Sequence, residues 1–192
     1  MKKKIAVTGG IGSGKSSVLE FLAERGFPTF SCDEIYKEII LTPTYIQKIS
    51  KIFPRCIEDG KINRKILSQI VFNNPENLAR LNAISHPLIM ETLFDKMNAC
   101  NQESVFAEIP LLFEGNYEGL FDRVLVVLRE KEQRIQAIMN RDAINREEAL
   151  RKIAMQFDYD NPQNRFEDCN AILIYNDENL EELKSKVFAL NF

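Results

Sequence analysis

A run near the start of the chain, Gly9-Gly10-Ile11-Gly12-Ser13-Gly14-Lys15-Ser16, fits the pattern G-x-x-x-x-G-K-S. Residues of these types at this spacing bind phosphate. The glycines let the backbone curl so that successive N–H groups converge on phosphate oxygens. The N-terminus of the helix that follows adds the positive end of its dipole. The lysine ammonium reaches the β- and γ-phosphates of a nucleoside triphosphate, and the serine hydroxyl takes Mg²⁺. Gly12, Ser13, Gly14, Lys15, Ser16 and Ser17 are therefore the expected nucleotide-binding residues, with Ser16 on the metal. The run alone does not separate a kinase from a GTPase or an ATPase. No N-K-x-D base-reading motif and no D-x-x-G switch accompanies it.

The phosphate run must be held between a strand and a helix, and the flanking sequence supplies both. Ile5–Thr8 is a short apolar strand, and Ser16 to Arg25 has helical character. Four more apolar runs read as buried strands: Pro28–Phe30, Val105–Ile109, Val124–Leu128 and Ala171–Tyr175. Strands alternating with helical segments predict an α/β fold with a five-stranded parallel sheet covered on both faces.

The spacing of those strands is uneven. The stretch 34–102 is far longer than a crossover requires and reads as several helices. Leu67, Ile70 and Val71 form one apolar stripe in it; Leu88, Ile89, Leu93 and Met97 form another. It is expected to be a helical insertion, leaving 1–33 and 103–192 as the core. A second excursion, within about 129–168, has two helical stretches separated near Asn140–Asn145. Asn145 with Glu148 resembles a capping box at the start of the second. Ala149, Leu150, Ile153, Ala154 and Phe157 give that stretch its apolar face. Such an excursion suits a lid, which excludes water so that a triphosphate is not simply hydrolysed.

Composition narrows the setting. The 192 residues are 45% hydrophobic and 28% charged, with a net charge of -3, which argues against disorder and against a general polyanion binder. No nucleic-acid partner is expected. The four cysteines, Cys32, Cys56, Cys100 and Cys169, form no C-x-x-C pair, so reduced thiols in the cytosol are expected rather than a zinc framework. Lys2-Lys3-Lys4 mimics the start of a signal peptide, but glycines interrupt the apolar run after Val7. A cytoplasmic protein without a membrane span is the expectation.

Beyond the phosphate run, several segments resemble the dephospho-coenzyme A kinase family. Gly60-Lys61-Ile62-Asn63-Arg64 leading to Val71-Phe72 is similar to its acceptor-domain segment. Leu81-Asn82-Ala83-Ile84-Ser85-His86-Pro87 resembles its L-N-x-x-x-H-P signature, and Pro110-Leu111-Leu112-Phe113-Glu114 its P-L-L-F-E turn. Arg141-Asp142 with Gln156 looks like its lid. The resemblance spans essentially the whole chain, in order. It implies a P-loop kinase core with a helical acceptor-binding insertion and a helical lid. The implied activity is transfer of the γ-phosphate of ATP, with Mg²⁺, to the ribose 3′-hydroxyl of dephospho-coenzyme A. A monomer or weak homo-oligomer is expected. The alternatives are another small-molecule or nucleoside-monophosphate kinase, or a catalytically silent nucleotide-binding regulatory module.

The resemblance also implies roles. Asp33, just past the second strand, accepts or orients the hydroxyl proton, where the bland reading is a helix N-cap. Arg141 closes over the transferring group, with Lys15 and Asp33 completing the catalytic set. Arg64 and His86 bind the acceptor; otherwise Arg64 is a solvated helix charge and His86 ends a loop before a helix that begins at Pro87. Glu108 resembles a Walker B acid, and Asn176 stands where the family contacts adenine. Three positions depart from the family pattern: Ser31 replaces an aspartate, Ala137 an arginine and Glu178 a glycine. Arg134, on the Arg141 face of its helix, is the expected partial substitute at Ala137.

Overall fold

The computed structural model describes residues 2–72, 74–162 and 165–192. Met1 of the expected core, residue 73 of the expected insertion and residues 163 and 164 of the expected lid lie outside the described residues. The chain divides into two compact units, Met1–Phe30 with Ala99–Phe192, and Ser31–Asn98.

The first unit carries the sheet. Its strands are β1 (Lys3–Thr8), β2 (Thr29–Ser31), β5 (Ser104–Glu108), β6 (Arg123–Leu128) and β7 (Ile172–Tyr175), in the order β2-β5-β1-β6-β7. β1 pairs in parallel with β5 and β6, and β6 with β7. Alternate side chains serve opposite faces. Ile5 and Val7, Phe106, Leu125 and Val127, and Ile174 pack on one face against Val18, Phe21 and Leu22 of α1 (Lys15–Glu24) and Leu183 and Val187 of α9 (Leu180–Phe188). The intervening Ala6, Val105, Ala107, Val124 and Val126 are buried too. Burial on both faces is why these strands read as unbroken apolar runs. At the edge strand β7 one face opens, leaving Leu173 and Tyr175 exposed.

Two further helices of this unit form a hairpin: α6 (Lys131–Asp142) and α7 (Arg146–Ala154). Asn145 and Glu148 close the capping box, the Asn145 Oδ1 accepting from Glu148 N–H at 2.9 Å. Ile135, Ile138 and Ala149 form the buried centre of the hairpin, with Leu150 and Ile153 against it. Ala154 is exposed and ends the helix. Phe157 lies past that end, in an aromatic cluster with Phe113, Tyr159 and Phe166, the last in the single turn α8 (Arg165–Asp168).

The second unit holds α2 (Cys32–Ile39), α3 (Pro43–Ile52), α4 (Arg64–Phe72) and most of α5 (Pro75–Ala99). Two features correct the sequence reading. First, the stretch is not purely helical: β3 (Ile57–Glu58) and β4 (Lys61–Ile62) form an antiparallel hairpin. Asp59 and Gly60 turn it with φ of 48° and 73°. Asp-Gly between two strands is the residue pair such a left-handed turn selects. Second, α5 runs through His86 and Pro87 instead of starting there. Pro87 has no N–H for the carbonyl one turn earlier. The same turn gains side-chain bonds: Ser85 Oγ donates to Leu81 O at 2.8 Å, and Tyr45 OH lies 2.7 Å from Ser85 Oγ.

Candidate active site

Between β1 and α1 the phosphate run curls as its composition requires. Gly14, at the N-cap of α1, has φ 97°, and a Cβ there would lie 2.4 Å from Asn176 Nδ2. Gly12 has φ 79°, and its missing Cβ would lie 2.8 Å from the Arg134 carbonyl oxygen. A side chain at either position is excluded twice, by backbone conformation and by space. The first turn of α1 carries no acid of its own; the carboxylate near it is that of Glu108, from β5.

Lys15, Ser16 and Glu108 meet at this loop. The Lys15 ammonium is buried and donates to Gly9 O and Gly10 O at 3.0 and 3.1 Å. Ser16 Oγ lies 3.3 Å from both carboxylate oxygens of Glu108, the last residue of β5. The parallel register of β1 and β5 sets Val7 opposite Glu108, which carries that carboxylate to the level of the loop. A hydroxyl beside a carboxylate is a hard oxygen pair. It fits a divalent cation that fills its remaining positions with water and phosphate oxygens. Among the described residues no group of three or more His, Cys, Asp or Glu could hold a metal by itself.

Other elements grip the loop from outside. Asn176, after β7, is 8% exposed and donates from Nδ2 to Ser13 O at 2.8 Å. Its amide nitrogen is engaged by the loop rather than presented to solvent. Arg129 NH1 donates to Gly12 O at 3.3 Å. Thr8 Oγ1 lies 3.0 Å from the buried Tyr159 hydroxyl, whose pKa burial raises, and donates to Ile109 O at 2.9 Å. Ser13 is buried within the loop, and Ser17 is half-buried on α1. Arg129 and Tyr159 carried no motif signal, because a sequence does not say which distant residue turns toward a loop.

The arginines of α6 separate. Arg141 and Arg134 lie two turns apart, yet Arg134 is 2% exposed and donates from Nε to Ile11 O at 3.2 Å, with NH1 3.6 Å from Asp160. The expectation that Arg134 partly replaces an arginine at Ala137 is corrected: its guanidinium is committed beneath the loop. Arg141 is exposed and forks onto Asp142, with Nε–Oδ1 at 2.7 Å and NH2–Oδ2 at 3.1 Å. Lys152 Nζ reaches the same carboxylate at 2.6 Å. Together they hold the Asp142 carboxyl well below the usual carboxylate range.

Asp33, Arg64 and His86 lie on three elements of the second unit. Asp33 is exposed in the first turn of α2, whose N-cap is Ser31, so the capping reading of Asp33 fails. Arg64 is exposed at the start of α4, where Asn63 Oδ1 accepts from Lys65 and Ile66 N–H at 3.0 and 3.1 Å. His86 is half-buried within α5, and burial lowers its pKa, which keeps the imidazole neutral near pH 7.

A parallel sheet in this order, with a glycine-lined loop feeding its lysine and serine into the start of a helix, defines a P-loop kinase. Shikimate kinase from Acinetobacter baumannii shares the fold, with a TM-score of 0.58 over 98% of this chain and 92% of that one at 17% identity. The family model described as Dephospho-CoA kinase matches residues 3–182, and the chain belongs to that family of coenzyme A biosynthesis transferases. The Fusobacterium nucleatum dephospho-CoA kinase is 37% identical over 95% of this chain and 94% of its own length. The Legionella pneumophila dephospho-CoA kinase is 34% identical over 100% and 94%. A Thermus thermophilus crystal structure superposes with a TM-score of 0.83 at 30% identity, covering 98% of this chain and 95% of that one.

Proposed function

We propose that this chain transfers the γ-phosphoryl group of ATP directly to the ribose 3′-hydroxyl of dephospho-coenzyme A, with Mg²⁺. The observation that carries the reading is the Lys15 ammonium held inside the glycine loop beside the Ser16–Glu108 oxygen pair. A triphosphate offers Lys15 better acceptors than the two carbonyls it now bonds, because its oxygens are charged. The loop amides and Lys15 then carry charge that builds on the β- and γ-oxygens. Ser16 and Glu108 would hold the Mg²⁺, Glu108 directly or through water; the ion neutralises phosphate charge when bound. Asp33 orients the acceptor hydroxyl and takes its proton, while Arg141 leaves Asp142 to close over the group in transfer. Arg64 and His86 serve the acceptor, with residues 34–102 as the acceptor-binding insertion and about 129–168 as the lid.

No helix of the described residues is long and apolar enough to cross a membrane, and none of the four cysteines is in a disulfide. These observations support a cytoplasmic setting. One assay tests the whole reading. Purified protein with ATP, Mg²⁺ and dephospho-coenzyme A should yield coenzyme A, identified by a mass gain of one phosphoryl group. Failure of that product with ATP still bound would favour a silent nucleotide-binding module. Phosphorylation of a different acceptor in a screen would favour another small-molecule kinase.

A further inference from the structure

We propose that Ile11 couples the α6–α7 hairpin to the phosphate loop and that Gln156 is the positioning residue that works through it. The proposal rests on the reading that the loop binds ATP.

Every bonding group of Ile11 is held by the hairpin or the segment leaving it. Its N–H donates to Gln156 Oε1 at 2.6 Å. Its carbonyl accepts from Arg134 Nε at 3.2 Å. Its side chain packs on the hairpin cluster of Ile135, Ile138 and Ala149. The N–H is therefore spent outward, and the phosphate is left to the amides further along the loop. Ile11 contributes anchorage, at the crest of the loop, where Gly12 rests on the α6 backbone.

Gln156 is placed to relay motion. It follows α7 directly after the C-cap Met155. The next residues are fixed to the core: Phe157 N–H donates to Glu114 Oε1 at 2.8 Å, and Tyr159 OH meets Thr8. Gln156 thus lies between a helical hairpin and its anchored stem, with its side chain on the loop. A peptide gripped at N–H, carbonyl and side chain does not turn independently. A triphosphate that seats the loop in one arrangement must bias the hairpin, and a hairpin arrangement must bias the loop equally, because coupling is reciprocal.

Hydrogen exchange of the full chain, with and without ATP and Mg²⁺, tests this. In the wild type, ATP should protect the backbone amides of α7, which is tied to the loop through Gln156, just past the C-cap Met155. Gln156→Met keeps the side-chain volume but removes the accepting oxygen. It should bind ATP within about threefold of wild type, lose most of that protection, and show kcat lowered about tenfold, as expected when a group far from the chemistry no longer holds the reacting geometry. Gln156→Glu keeps an accepting oxygen and should retain the protection. Ile11→Pro deletes the partner N–H, so Ile11→Pro with Gln156→Met should be no worse than the worse single variant. Unchanged protection in Gln156→Met, or additive losses in the double variant, would overturn the proposal. If the wild type binds ATP without protecting α7, the coupling alone fails. If it binds no ATP, the nucleotide reading fails and takes the coupling with it. Gln156→Met lies on a half-buried surface position and decides the matter even if Ile11→Pro does not fold.

Discussion

Asn176 donates its carboxamide N–H to the carbonyl of Ser13, so the turn after the last strand ties down the middle of the phosphate loop at 2.8 Å. The contact occupies the space where Gly14 has no Cβ, which couples the two residues sterically as well as by hydrogen bond. Asn176→Ala leaves a buried carbonyl without its donor and should cost about 1–3 kcal/mol in urea denaturation, with a raised KM for ATP. Wild-type values of both would remove Asn176 from the support of the loop.

Lys15→Ala should fold normally by circular dichroism and lose turnover by about 10²- to 10³-fold, the usual loss when a group aimed at developing charge is removed. Steady-state kinetics with both substrates saturating is the measurement. Near-full turnover would show that Lys15 does not serve the transferring group.

Asp33→Asn should lower kcat by about 10²- to 10⁴-fold while ATP affinity changes little, as expected of a group that handles only the acceptor proton. An unchanged rate would reject Asp33 as base.

Glu108→Gln keeps the shape of the side chain and removes its charge beside Ser16. The Mg²⁺ concentration for half-maximal rate should rise by about tenfold or more, as for groups that orient a bound metal or its water. An unaltered metal requirement would place the cation elsewhere.

His86 is the single histidine, so its titration can be followed alone. Burial lowers its folded pKa. The unfolded chain, with an ordinary value of about 6.5, then takes up a proton that the folded protein refuses. Stability should hold above about pH 6.5 and fall as pH drops below it, levelling once the folded group also titrates. His86→Gln should flatten the melting temperature across that range. A histidine ring titration at or above the ordinary value by NMR would contradict the burial argument.

Local composition determined much of this protein. β1, β5 and β6 were legible because burial on both faces leaves continuous apolar runs, and the loop because the φ values at Gly12 and Gly14 select glycine. The capping box at Asn145 and Glu148 was legible for the same reason: three residues of spacing contain the whole interaction. The hairpin at Asp59-Gly60 carried its signal in the sequence too, but two-residue strands are too short to show periodicity.

Tertiary structure decided the rest. Proline usually marks a helix boundary, yet α5 continues through Pro87, where Ser85 bonds Leu81 and meets Tyr45 from α3. Helical spacing put Arg134 and Arg141 on one face; packing buried the first under the loop and left the second on Asp142 in solvent. The bonds from Gln156 to Ile11 and from Tyr159 to Thr8 span more than a hundred positions of sequence, so no local pattern encodes them. Each depends on which surfaces the folded sheet brings together, and that is settled by the packing of the whole unit.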